Sequence, residues 1–216
     1  MKKASIPLTR NQASRPTSGS VNFIDQWRIF FRQFVRHPGM IGSIIPTSTA
    51  VVNRILDQVD WNRTRLFVEY GPGVGTFTHA ILERMRPDAC LLAIDLNLDF
   101  VAYLEAQSND PRLRIVHGSA ADVRRFIKEA GHMQADYILS GIPFSTLPAG
   151  VGESIAAETH AALRPGGAFL VYQYSRFVRR LIDPLFGRIQ AGRTWRNIPP
   201  CYVFHAVKDE ALAQAA

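Results

Sequence analysis

From Arg65 to about Phe186 the sequence repeats one unit: a short apolar run, a turn, and a helical stretch. This alternation constrains the fold more than any other feature, because parallel strands need long crossovers and helices supply them. The apolar runs are Leu66 to Tyr70, Cys90 to Asp95, Leu113 to His117, Ala135 to Ser140 and Gly167 to Ser175. Helical stretches lie between them at Thr76 to Met85, Asp99 to Gln107, Ala120 to Ala130 and Gly150 to Leu163. An Arg-rich helical piece then runs to Phe186, and β-type runs follow near Arg193–Arg196 and Tyr202–Val207. The pattern predicts an α/β chain built on a doubly wound sheet, with its ligand at the carboxyl ends of the strands.

A chain of 216 residues suits one domain with short extensions. With 47% apolar and 20% charged residues it can fill a core, which excludes wholesale disorder. No apolar run reaches the roughly 18 residues that cross a bilayer, so a membrane-spanning protein is not expected. Met1 to Ser20 is basic and polar with no apolar stretch, unlike a secretory signal, and reads as a disordered arm. Cys90 and Cys201 read as buried free thiols in a reducing compartment, too few for a zinc site, and no metal is expected.

Charge is unevenly spread within the net +7. Residues 1–65 carry ten Lys/Arg against three Asp/Glu, and residues 164–196 carry seven Arg against one Asp. Residues 66–163 between them are acidic, with seven basic and twelve acidic side chains. Basic flanks point to an anionic partner, either nucleic acid or an anionic membrane surface. Val21 to His37 has helical periodicity, with Phe23, Trp27, Phe30, Phe31 and Phe34 on one face and Arg28, Arg32 and Arg36 as a basic stripe. Pro38-Gly39 ends it, and Ser48 is placed to cap a further helix over Val51 to Val59. The expected organisation is an arm over 1–20, a helical segment over 21–64, an α/β domain over 65–208 and a tail over 209–216.

The first strand runs into Glu69-Tyr-Gly71-Pro-Gly73-Val-Gly75, and the second ends in Asp95, twenty residues after Gly75. Glycines let backbone approach a ligand closely, and a carboxylate at that distance can hold ribose hydroxyls. The spacing is G-x-G-x-G rather than the dinucleotide G-x-G-x-x-G. An acid two residues before the first glycine opposes a pyrophosphate and suits a ligand carrying an ammonium and a sulfonium. The pattern resembles motif I of the class I methyltransferases that use S-adenosylmethionine (SAM). That resemblance implies a Rossmann-like methyltransferase sheet with Glu69, Gly71, Gly73, Gly75, Asp95 and Leu96 at the cofactor. It also implies contacts from Ser119 and Ala120 after the third strand, and from Ser140 and Gly141 after the fourth. In many such enzymes an Asp holds the adenine amine where this chain has Ser119, whose hydroxyl is a neutral acceptor.

Ser140-Gly141-Ile142-Pro143-Phe144 resembles the N-x-P-Y/F loop of enzymes that methylate the adenine amine, including ribosomal RNA adenine dimethyltransferases. In those, Asn accepts from the target amine and the aromatic ring stacks on the base. Here Gly141 stands at the Asn position, and Phe144 is expected to offer its π face to a cationic headgroup.

Arg36-His-Pro38, Gly42-Ser43-Ile-Ile-Pro46-Thr-Ser48, the Gly141 loop and Trp195-Arg-Asn197-Ile-Pro199-Pro200 together resemble the bacterial phospholipid N-methyltransferases, from about Phe23 to Val207. That resemblance implies stepwise methylation of phosphatidylethanolamine towards phosphatidylcholine, peripherally on the cytoplasmic face of the membrane. Ser43 and Ser48 are then expected at the methionine end of SAM. The helix over Val21 to Arg36, about 24 Å long, suits the headgroup plane, with Phe23, Trp27, Arg28, Phe30, Phe31, Arg32 and Phe34 as its membrane contacts. Arg176 and Arg180, after the fifth strand, are candidates for the lipid phosphate. Tyr172, Tyr174 and Glu153 are candidates to receive or relay the amine proton. The alternative is an RNA adenine N6-dimethyltransferase, disfavoured by Gly141 and by the absence of a C-terminal helical stretch. A silent membrane- or RNA-binding module is a third reading, opposed by the intact Glu69-to-Asp95 pattern.

Overall fold

In the computed structural model, residues 48–194 and 200–209 are described. The helix over Val21 to His37, Ser43 and the Trp195–Pro199 run therefore lie outside the described residues, with every membrane contact assigned to that helix.

Seven strands form one sheet: β1 (Leu66–Tyr70), β2 (Cys90–Asp95), β3 (Leu113–His117), β4 (Ala135–Ser140), β5 (Leu163–Gln173), β6 (Arg188–Thr194) and β7 (Cys201–Val207). Their order is β3-β2-β1-β4-β5-β7-β6. The first five are parallel, and β7 is inserted antiparallel between β5 and β6. The helices are α1 (Thr49–Leu56), α2 (Thr76–Arg84), α3 (Leu98–Gln107), α4 (Val123–Glu129), α5 (Val151–Ala162) and the short α6 (Arg179–Ile182). The expected doubly wound α/β sheet is thus present, completed by an antiparallel pair.

Every residue of β1 is buried, because helices cover both faces of this central strand. Its side chains alternate between two cores. Leu66, Val68 and Tyr70 pack with α4, α5 and α6, whereas Phe67 packs with Val51, Ile55, Phe77 and Ile81 of α1 and α2. Asp136 ties three strand starts together on the far side from the ligand edge. Its Oδ2 accepts the Arg65 and Leu66 backbone N–H groups at 2.7 and 2.9 Å, and its Oδ1 accepts Arg164 Nε at 2.6 Å.

Differences from the sequence expectation have local causes. The helix expected over Ala120 to Ala130 begins as a 3-10 turn over Ala120–Asp122, because the Ser119 hydroxyl caps it through the Ala121 N–H at 3.2 Å. The fifth strand starts at Leu163 rather than Gly167. Leu163 pairs with Ala135, and the Pro165-Gly166 turn is absorbed as a bulge before Ala168 pairs with Tyr137. The sixth strand lies earlier than expected, over Arg188–Thr194. The first described helix starts at Thr49, and Ser48 caps it through its carbonyl, which accepts from Val51 and Val52 N–H, rather than through its hydroxyl. Cys90 and Cys201 are both free thiols, and Cys201 is the more buried.

Candidate cofactor and acceptor site

The Gly71–Gly75 loop leaves the end of β1 and turns into α2. All three glycines have left-handed backbone, with φ of +65°, +56° and +84°. Gly71 N–H donates to the Ile94 carbonyl at 2.9 Å, which fastens the loop to β2. A Cβ on Gly75 would lie 2.7 Å from Leu104 Cδ2, so this glycine is required by packing against α3. A Cβ on Gly73 would meet nothing within 4 Å. The loop is therefore closed at Gly75 and open at Gly73, as a backbone cradle for a ligand has to be.

Two carboxyl groups border the cradle. Asp95, at the end of β2, accepts Gly73 N–H at 3.3 Å through Oδ2 and Asn97 N–H at 2.8 Å through Oδ1. These bonds fix its rotamer and leave lone pairs for a diol. Burial raises its pKa above the usual Asp range. Glu69 lies inside the protein, and its Oε2 accepts the Thr78 hydroxyl at 2.7 Å. Burial raises its pKa to about 8, with the Asp95 charge adding to the effect. The carboxyl therefore holds its proton more tightly than an ordinary Glu. A cation arriving beside it would restore the charge that the sequence reading expected.

Leu96 follows Asp95 and is 69% exposed, an apolar surface suited to a flat ring. Its carbonyl is joined to His117 Nε2 at 3.1 Å. Ser119 lies at the carboxyl end of β3, with one hydroxyl lone pair engaged in capping, and Ala120 beside it is buried. The chemistry of this donor set fits SAM: backbone for the ligand's amino-acid end, carboxyls near its cations and diol, and an apolar ledge for its base.

The loop after β4 corrects two expectations. Phe144 is 1% exposed and meets Phe169 edge-on at 6.4 Å between centroids, so its ring belongs to the core and presents no face to a substrate. The 3-10 turn over Phe144–Thr146 directs it inward. Ser140 is fully buried, and its hydroxyl accepts Ile142 N–H at 3.2 Å. It shapes the loop from within rather than reaching a ligand with its side chain.

Gly141 is held against β5. A Cβ there would stand 2.5 Å from the Tyr172 hydroxyl oxygen. Tyr172 in turn packs on Phe77 at 4.8 Å between centroids. Tyr174 is half-buried on the same core face as Tyr172. Glu153 stands apart from them in chemical setting, exposed in the first turn of α5, where a carboxylate complements the helix N-terminus. Arg176 and Arg180 are exposed beyond β5, with the exposed ring of Phe177 beside Arg176.

Three residues of this edge were missed by sequence reading: Gln173, Arg193 and Tyr202. A lone glutamine in an apolar strand carries no motif. Arg193 and Tyr202 meet only through the β6–β7 register. Among the described residues no group of His, Cys, Asp or Glu converges to hold a metal ion, and no helix is long and apolar enough to cross a membrane.

Comparison with known proteins adds four findings. Residues 41–189 match the family model described as ribosomal RNA adenine dimethylase. The chain is 28% identical over 189 residues to the ornithine lipid N-methyltransferase of Singulisphaera acidiphila, covering 84% of this chain and 96% of that one. It is also 28% identical over 106 residues to the ribosomal RNA small subunit methyltransferase A of Mycoplasma mycoides, covering 45% of this chain and only 39% of that one. Among solved structures, the 1,6-didemethyltoxoflavin-N1-methyltransferase of Burkholderia thailandensis, solved with S-adenosylhomocysteine, superposes with a TM-score of 0.59. That match is 16% identical and covers 92% of this chain and 94% of the other, a likeness of fold.

Proposed function

Because the chain belongs to the ribosomal RNA adenine dimethylase family and is a class I SAM-dependent methyltransferase, we propose that its acceptor is the primary amine of a membrane lipid rather than a nucleic-acid base. The observation that carries this reading is the loop after β4. Gly141 offers no side-chain acceptor, and Phe144 is buried at 1% exposure. The amide and the stacking ring with which adenine enzymes of this family hold a base are both missing from the surface. A lipid amine needs neither. Support also comes from the relatives, since the chain spans nearly all of a lipid N-methyltransferase but under half of a ribosomal RNA enzyme.

The substrate we propose is phosphatidylethanolamine, with its mono- and dimethyl products, methylated towards phosphatidylcholine. The second zwitterionic candidate is ornithine lipid, favoured by the near full-length likeness to its N-methyltransferase. The protein is expected to work peripherally on the cytoplasmic face of the membrane. The basic, aromatic lip of Arg176, Phe177 and Arg180 is suited to an anionic surface.

The cradle of Gly71, Gly73 and Gly75, the carboxyls of Glu69 and Asp95, and the ledge of Leu96 would hold SAM, with Ser119 and Ala120 at the base. Bound SAM supplies an electrophilic methyl group on a cationic sulfur. A lipid amine has a pKa near 10, so it arrives protonated and must shed that proton before attack. In this reading Tyr172 orients the amine, a role supported by the closeness of its hydroxyl to the backbone of Gly141 at the strand edge. Tyr174, two residues on and on the same face, passes the proton outwards. Rate enhancement then rests mainly on alignment of the nitrogen.

The test is methyl transfer from labelled SAM to anionic vesicles holding phosphatidylethanolamine or ornithine lipid, with ribosomal RNA in a parallel reaction. Labelled lipid and unlabelled RNA are expected. Labelled RNA with unlabelled lipid would overturn the proposal.

A further inference from the structure

Gln173 is the last residue of β5 and is 5% exposed. Its Nε2 donates to the Ile142 carbonyl at 2.7 Å, in the loop that frames the acceptor site. Its Oε1 is buried and makes no hydrogen bond. A buried orphan acceptor is uncommon, because its lost hydration is not replaced. An arriving N–H donor would repair it.

The register extends this point across two more strands. Gln173 pairs with Tyr202 of β7, and Tyr202 pairs with Arg193 of β6. Residues directly opposite one another share a sheet face, so the three stand side by side. Arg193 lies with its guanidinium carbon 5.5 Å from the Tyr202 ring centroid. Arg176, from the segment after β5, lies at the same 5.5 Å distance. One tyrosine thus gathers two guanidinium groups beside an unsatisfied amide oxygen. Arg176 makes no ion pair with any described residue, whereas Arg164 and Arg179 of the same basic segment are paired with Asp136 and Asp183.

We propose that Gln173, Tyr202, Arg193 and Arg176 form a headgroup-reading array for a zwitterion. Gln173 Oε1 accepts a hydrogen of the lipid amine, and the two guanidiniums, positioned by Tyr202, hold the anionic group of the same headgroup. This rests on the lipid-amine reading above and deepens it. The shared chemistry is a primary amine with a phosphate or carboxylate a few bonds away. Both phosphatidylethanolamine and ornithine lipid carry it. Tyr202 is a positioning residue in this array, while Gln173, Arg176 and Arg193 touch the substrate.

The test uses the full chain and one anionic vesicle preparation with three acceptors. These are phosphatidylethanolamine, ornithine lipid, and a long-chain primary amine without an anionic group. The wild-type protein is expected to favour at least one zwitterion over the plain amine by about tenfold or more in kcat/KM. The double variant Arg176→Gln, Arg193→Gln is expected to lose most of that preference through KM. Tyr202→Leu is expected to shift KM in the same direction, which a purely packing role would not do selectively for zwitterions. Gln173→Leu is expected to lower turnover of every amine, and Gln173→Glu, which keeps an acceptor oxygen, to recover part of it. SAM affinity, read by calorimetry, reports that each variant is folded, and Gln173→Glu carries the test if Gln173→Leu does not fold. A double variant with the wild-type preference, or a folded Gln173→Leu with wild-type turnover, overturns the array. A wild type that methylates zwitterion and plain amine equally overturns the anion assignment alone. A wild type that labels none of the three acceptors but labels ribosomal RNA in a parallel reaction overturns the reading on which the array rests.

Discussion

The Glu69 carboxyl accepts the Thr78 hydroxyl at 2.7 Å inside the seam between β1 and α2, and the enclosure raises its pKa to about 8. The residue beneath the glycine loop therefore gives up its proton less readily than an ordinary carboxyl. SAM binding is expected to release a proton near pH 7. Affinity should rise with pH between about 6 and 7.5, by no more than tenfold per unit, since one proton is lost. Calorimetry in buffers of different ionisation heat would reveal the released proton. Glu69→Gln should abolish the release and weaken binding.

The same group sets a stability prediction of defined sign. Its folded-state pKa lies above its unfolded value of about 4.5, so the folded protein holds the proton more tightly. Stability from this site is complete below about pH 4.5 and is lost as pH rises towards 8. The full loss is of order 5 kcal/mol, at about 1.4 kcal/mol per unit. Glu69→Gln should therefore melt at a temperature that gains steadily on the wild type between pH 5 and about 8. Parallel melting curves would contradict the assignment.

Two glycines of one loop should fail in different ways. Gly75→Ala places a methyl 2.7 Å from Leu104 Cδ2 in a left-handed backbone, so it should lower stability by about 2–4 kcal/mol. Gly73→Ala meets nothing within 4 Å and carries only backbone strain of about 1–2 kcal/mol. Its larger effect should be on SAM affinity, because the methyl enters the cradle. Thermal melting and calorimetry on both variants separate these outcomes.

Gly141 and Tyr172 should behave as one unit. Gly141→Ala drives a methyl to 2.5 Å from the Tyr172 hydroxyl and must displace the ring. Tyr172→Phe removes that hydroxyl. Each is expected to lower kcat by about tenfold to a hundredfold, a share appropriate to an orienting or proton-handling group. SAM affinity should change little. The double variant should be less impaired than the product of the singles, because both remove the same interaction.

Much of this fold was legible in the sequence because parallel strands buried on both faces are continuous apolar runs bounded by turn residues. β1 to β4 have the bounds expected from that rule. β5 does not, since Pro165-Gly166 reads as a terminator when it is in fact a bulge within pairing, and β6 lies earlier than its apolar pattern suggests. The glycine loop after β1 was legible because positive φ demands glycine and leaves a signature. The acceptor side was less so. Phe144 carries no mark that tells whether its ring turns inward, and the 3-10 turn that decides it is a tertiary outcome. Gln173, Tyr202 and Arg193 become neighbours only through a register among three strands, which local sequence does not specify.

The central claim is that this fold methylates a lipid amine. Lipid mass spectrometry tests it most directly, on a bacterium that makes phosphatidylethanolamine and ornithine lipid but no methylated forms, after expression of the full chain. The account predicts methylated derivatives of at least one of these lipids, absent when Glu69→Gln or Asp95→Ala is expressed at equal level. Unchanged lipids together with newly dimethylated adenine in the ribosomal RNA would contradict it.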